Sequence, residues 1–348
     1  MTLGAEQAPG TQAVPDAGVS QPAGAGDGSP GSGRLTGSGR LTGAGALARH
    51  GILAEPAPAR STARFPDGAD FRIEIPSVEG PAVLRAVVEQ AAEEGITVNR
   101  VSQGSGAMLL SGAELEEMAA LGAEHGLEIS LFVGPREEWD VGSLAQSDEG
   151  PSRGGLIRGS RQLRYAVDDV LRGVEHGIRG FLVADTGLLE LLAGLQRAGQ
   201  IPDSVVWKVS AMIAPANPMT MRQLERLGGH TVNVPSDMTT GQLAELRAAT
   251  TLPIDLYVEA PSAMGGVVRG HEAAELVAVA APMYVKFGLR NSRLLYPSGL
   301  HLVNEAAAIA REKVHRARVA LEWMDRSGLG LVQSKAGAPG LGIPEPAR

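Results

Sequence analysis

From residue 65 onward, short runs in which apolar and polar positions alternate give way repeatedly to longer stretches with apolar residues every third or fourth place. Alternation at period two predicts strands with one face buried, and the three-to-four spacing predicts amphipathic helices. Eight strand runs emerge, at 71–76, 98–103, 127–133, 180–185, 205–210, 231–234, 254–260 and 283–287. Each is followed by a helical segment, the last from 300 to about 324. Ser111 with Glu114, and Thr239 with Gln242, have capping-box spacing. Pro81 suits a first helical turn, and Gly95, Gly126 and Gly177 each close a helix before the next strand. Eight βα units in about 260 residues predict a closed (β/α)8 TIM-type barrel over 64–328. An open doubly wound sheet is the alternative, but Gly104-Ser105-Gly106 lacks the third glycine of a dinucleotide fingerprint.

The segments outside the barrel differ in kind. Residues 1–63 are rich in Gly, Pro and Ala and contain a tandem Gly-Ser-Gly-Arg-Leu-Thr, at 31–36 and 37–42. Such a composition buries too little apolar surface to offset its ordering entropy, which predicts a disordered tail. Residues 329–348 receive the same reading.

Composition then narrows the chemistry. The chain has 348 residues and no cysteine, which excludes disulfides, a thiolate nucleophile and an iron–sulfur cluster. Its formal charge is −8, which argues against nucleic-acid binding. The absence of an apolar run of about 18 residues argues against a membrane span, and no secretory signal is evident. The expectation is a cytoplasmic protein that acts on a small molecule or peptide, with self-association into a homo-oligomer left open.

Strand alternation also assigns faces. In a barrel one face of each strand looks into the lumen, and function gathers at the strands' C-terminal ends. The inward set is Arg72 and Glu74, Arg100 and Ser102, Ser130, Asp185, Lys208 and Ser210, Asn233, Asp255, Tyr257 and Glu259, and Tyr284 with Lys286. Buried charges at this density need partners or a site. A paired ionic lattice would explain the deeper members, and an active-site mouth would explain Glu259, Lys286, Lys208 and Asp185. The lysines stand out, because the chain has only four among 31 basic residues and two of them fall inward. Buried lysine can supply a Schiff-base or proton-transfer amine, which arginine cannot.

The loops after the seventh and eighth strands carry Arg269, Arg290 and Asn291, candidate holders of a substrate's acid group. With them, Arg100, Asn233, Tyr257 and Ser102 form the candidate binding set, and Lys286, Lys208, Glu259, Asp185 and Glu74 the catalytic one. No cofactor is predicted. Glu74, Asp185 and Glu259 could jointly hold a divalent cation such as magnesium. The connection 134–159, with Arg136 and Trp139, is long enough for a lid. No His-x-His, His-Glu-x-x-His or Gly-x-Ser-x-Gly spacing occurs.

Five blocks, 101–110, 130–135, 231–237, 255–261 and 284–291, together resemble the U32-peptidase-like (collagenase-like) family of bacterial, largely actinobacterial proteins. The resemblance covers nearly the whole barrel. It implies a TIM-type fold and a peptidase-type hydrolase, of which this chain would be a cysteine-free, divergent member. The residues alone favour a lyase or aldolase-like step on a barrel lysine, and a non-catalytic binding or scaffold barrel is the third reading.

Overall fold

The computed structural model describes residues 42–52, 57–135, 155–292 and 295–346. The chain divides into two units, 1–55 and 56–348. In the first, the helix Gly43–Ala48 is capped by the Thr42 hydroxyl, which accepts from Gly45 N at 3.0 Å.

The second unit is a closed barrel of eight parallel strands in sequence order, each followed by a helix. The pairs are β1 Phe71–Pro76 with α1 Pro81–Glu94, β2 Arg100–Ser102 with α2 Gly112–Glu124, β3 Glu128–Phe132 with α3 Gly159–Glu175, and β4 Gly180–Val183 with α4 Thr186–Arg197. They continue with β5 Val206–Val209 and α5 Pro218–Arg226, β6 Thr231–Asn233 and α6 Thr240–Ala249, β7 Ile254–Glu259 and α7 Ala273–Ala280, and β8 Met283–Phe287 and α8 Val303–Ser327. The (β/α)8 expectation holds.

Local chemistry sets the boundaries as the sequence implied. Both capping boxes form, at Ser111 and Thr239. Gly95 ends α1 in the left-handed region, at φ 64°, where a Cβ would be strained. The outward residues of the strands, such as Ile73, Val101, Ile129, Val209, Leu256 and Val285, pack with the helices in one continuous apolar core. Trp207 is fully buried in that layer, and its indole N–H reaches Gln196 Oε1 of α4 at 2.7 Å.

The C-terminal segment is not a disordered tail. Residues 329–346 cross the N-terminal end of the barrel as a strap, and Gln333 bridges Phe71 in parallel. Ser334 Oγ takes a bond from Arg72 Nε (3.0 Å), Ser334 O from Asn99 (3.0 Å), and Glu128 Oε2 from Gly342 N (3.1 Å). Glu345 pairs with Arg179 at 2.9 Å. Ala338 and Leu341 join Phe65 and Tyr284 in a second small core. The barrel floor offers this glycine-rich segment backbone and side-chain partners that composition alone does not reveal. At the other boundary, residues 57–63 are also anchored, with Ser61 bonded to Ala278 O and Ala281 O.

Candidate active site in the barrel lumen

Glu74, near the middle of β1, lies opposite Arg100 of β2 and Lys286 of β8 in the strand register. The inward alternation therefore delivers three charged side chains to one level of the lumen. The Glu74 carboxylate is fully buried and is the hub. Its Oε2 accepts from Arg100 Nε (2.9 Å) and a terminal Arg100 nitrogen (2.6 Å), and its Oε1 from Ser102 Oγ (2.7 Å) and the Lys208 amine. Lys286 Nζ stands 3.5 Å from the same Oε1. Arg100 also reaches Asp255 Oδ2 (2.6 Å) and Thr231 Oγ1 (3.1 Å), and it lies 3.4 Å from the centre of the Tyr284 ring. Glu128 Oε1 is 3.6 Å from the guanidinium.

Three carboxylates, Glu74, Asp255 and Glu128, thus face three cations, Arg100, Lys208 and Lys286. Burial alone would raise the Glu74 carboxyl, but Arg100, Lys208 and Lys286 together hold it well below the usual range. Burial pushes the Lys208 amine down to about 7, with Arg100 adding repulsion that Glu74 only partly offsets. Burial lowers Lys286 too. Glu128 moves the other way, raised by burial against the pull of Arg100.

Both lumenal lysines are buried, Lys286 at 3% exposure and Lys208 at 0%. The Lys286 Nζ donates to Asn233 Oδ1 and sits 4.1 Å from the Tyr257 ring centre, and Asn233 is itself fixed by a 2.6 Å bond to Val209 O. Asp255 Oδ1 and Ser130 Oγ are buried without a hydrogen-bond partner among the described residues. The lumen therefore brings together Glu74, Arg100, Ser102, Lys208, Asn233, Tyr257 and Lys286, all of which alternation placed inward.

Other expected site residues have different employment. Asp185 caps α4, with Oδ1 accepting from Leu188 N at 2.9 Å and Oδ2 from Ile157 N at 3.3 Å, because its strand ends two residues earlier than the sequence suggested. Glu259 accepts from Arg290 N (3.2 Å) and lies 3.8 Å from Arg316 Nε of α8. Arg269 is a brace rather than a free anion clamp, bonded to Glu272 and to the carbonyls of Ser236 and Met238. Arg290 and Asn291 are exposed at the β8 exit. Glu74, Asp185 and Glu259 each have their own partners, and among the described residues no group of three or more His, Asp or Glu gathers to hold a metal. The 136–154 part of the expected lid, including Arg136 and Trp139, lies outside the described residues.

Sequence reasoning missed several groups. Glu128 and Thr231 share the inward alternation and could have been found by stepping two residues back from Ser130 and Asn233. Glu79 and Ser105 could not, because Ser105 N reaches Glu79 Oε2 (3.0 Å) only through loop closure, nor could Lys313, whose amine donates from α8 to Pro76 O at 2.8 Å.

No family model matches the chain, and no curated protein matches it. Solved structures do. The U32 peptidase Mk0906 aligns at 19% identity and a TM-score of 0.37, covering 65% of this chain and 81% of that one. A protein solved as native KDPGal aligns at 12% identity and a TM-score of 0.39, covering 76% and 99%. A pyruvate carboxylase from Rhizobium etli aligns at 13% identity and a TM-score of 0.38, covering 75% of this chain and 28% of that one. None of these likenesses bears on the reaction. Among the described residues no helix is long and apolar enough to cross a membrane.

Proposed function

We propose that the protein is a barrel enzyme that joins the Lys286 amine to the carbonyl carbon of a small anionic substrate and then breaks an adjacent carbon–carbon or carbon–nitrogen bond. This is lyase chemistry of the aldolase type. The supporting observation is the convergence of the Lys208 and Lys286 amines on Glu74 Oε1. An amine must be neutral to attack, and burial lowers the Lys286 amine from its ordinary value, which eases access to the neutral form. Attack by Nζ forms the C–N bond, loss of water leaves an iminium, and that iminium accepts the electron pair of the breaking bond. Glu74, held ionised by Arg100, Lys208 and Lys286, is the carboxylate that positions the amine. Arg290, exposed at the β8 exit, is the candidate for holding the substrate's acid group.

Borohydride reduction in the presence of small keto acids and aldehydes tests this reading. The expected product is a stable secondary amine on Lys286. If no carbonyl compound labels Lys286, the reading fails and the lumenal lysines stand as members of a paired lattice.

The second reading is a peptidase-type hydrolase, supported by the sequence blocks around Asp255–Pro261. It would depend on Glu259, placed beside Arg316 at the end of β7. Once peptide cleavage is detected, undiminished cleavage by Glu259→Gln protein would remove that residue from the mechanism.

A further inference from the structure

Tyr257 of β7 is the register partner of Lys286 of β8, so the two side chains enter the lumen from adjacent strands at one level. The ring centre stands 4.1 Å from the Lys286 amine, a cation–π contact that holds the phenol beside the nitrogen assigned to attack. The β7–β8 register then shifts between Tyr257 and Glu259, an irregularity of the kind that re-aims side chains next to sites.

The other groups at this level are committed. Glu74 is held ionised by its three cations, and Ser102 Oγ donates to it at 2.7 Å. Asp255 Oδ2 faces Arg100 at 2.6 Å, and Asn233 is tied between Lys286 and Val209 O. Tyr284, also lumenal, has its hydroxyl engaged by Arg72 at 3.0 Å. The Tyr257 hydroxyl makes no hydrogen bond among the described residues, yet it is not a buried orphan like Asp255 Oδ1 or Ser130 Oγ, which leaves it open to a ligand. Burial, with the Glu74 and Asp255 charges adding to it, raises the phenol above its ordinary value, so it enters a reaction carrying its proton.

Building on the lysine-amine reading above, we propose that Tyr257 is the proton shuttle of the Lys286 reaction and that the substrates are 4-hydroxy-2-oxo acids. Such a molecule needs one group that gives protons at its carbonyl oxygen and takes one from its hydroxyl. The neutral Lys286 Nζ bonds to the carbonyl carbon while the phenol gives its proton to the oxygen; the phenolate then takes a proton from the new ammonium. The phenol gives its proton again as water leaves, and the iminium forms beside the ring, where its positive charge offsets the momentary phenolate. The phenolate removes the proton of the 4-hydroxyl. The bond between the third and fourth carbons breaks, its electron pair passes to the iminium as an enamine, and an aldehyde departs. The phenol protonates the third carbon, and water, losing a proton to the phenolate, returns a 2-oxo acid and the free amine.

Full-length protein is supplied with 4-hydroxy-2-oxopentanoate and 4-hydroxy-2-oxohexanoate, with release of pyruvate followed by lactate dehydrogenase; cyanoborohydride capture of pyruvate on Lys286 is mapped in parallel. Wild-type protein should release and capture pyruvate. In Tyr257→Phe protein kcat should fall at least about 100-fold with KM within about threefold, while slow capture on Lys286 persists and the melting temperature is unchanged. A kcat retained within about tenfold overturns the assignment of Tyr257 alone. Capture on Lys286 without release of pyruvate from either probe overturns the substrate class and the shuttle with it. Absence of capture in the wild type overturns the lysine-amine reading as well. Incorporation of 3,5-difluorotyrosine at 257 keeps the ring and makes the phenol more acidic. It should move the pH profile of kcat downward, and an unmoved profile overturns the assignment even where Tyr257→Phe folds poorly.

Discussion

Replacing Glu74 with Gln removes the one carboxylate that touches all three lumenal cations, while keeping side-chain volume and hydrogen-bonding capacity. Three acids against three cations become two against three among side chains that are almost fully buried. Leaving a buried charge without its partner costs about 3–5 kcal/mol. Lys208 supplies a way out, since its amine already sits at about 7 and Glu74 is one of the groups holding it up. In the variant it sheds its proton more readily. The loss should therefore be about 3–5 kcal/mol at pH 6, where Lys208 is charged in the wild type, and smaller at pH 9, where it is already neutral. The sign follows from linkage. Between about 7 and the ordinary lysine value near 10.4, the unfolded chain binds the proton and the folded one does not, so this group's contribution grows as pH rises and is lost as pH falls through about 7. Urea denaturation of both proteins at pH 6 and pH 9 measures it. A difference below about 1 kcal/mol at pH 6, or a larger one at pH 9, would refute the view of Glu74 as the electrostatic hub.

Three further outcomes are expected. Asp169, on α3, accepts from Gly134 N at 3.2 Å, and burial lifts its carboxyl to about 6. Its stabilising contribution is complete below about pH 4 and is lost as pH rises through about 6, so Asp169→Asn should flatten the urea-stability profile over that window by about 3 kcal/mol. Truncation after Gly328 removes the strap and leaves Arg72, Asn99, Glu128 and Arg179 without bonds they now make; calorimetry should find no cooperative transition, or one lowered by more than about 10 °C. Gly180→Ala would set a Cβ 2.5 Å from Ile129 O within the β3–β4 ladder, which predicts a loss of about 2–4 kcal/mol by urea denaturation.

Period-two alternation made the lumen legible because the pleat leaves no freedom: once Ile73 and Val285 are assigned to the helix layer, Glu74 and Lys286 must share the interior. The same rule failed at Asp185, where two residues beyond the strand's last pairing the chain had already turned into a helix cap. It could say nothing of Arg269, whose partners lie about 30 residues earlier, at Ser236 and Met238. The strap was misread for a different reason. Glycine and proline signal the lack of a core of one's own, yet Ser334 and Gly342 are ordered by donors and acceptors that the barrel floor already exposes. Glu79 and Ser105 were separated by 26 residues and joined only by loop closure.

The central claim is that a lumenal lysine is a reactive amine, and covalent capture tests it most directly. The protein is incubated with pyruvate and a panel of larger keto acids and aldehydes, reduced with cyanoborohydride, digested and mapped by mass spectrometry. The account predicts that one compound adds its reduced mass to Lys286, saturably and without labelling Lys313 or Lys335, and that Lys286→Met protein takes up none. Labelling confined to Lys335, or no labelling by any compound in the panel, would contradict it.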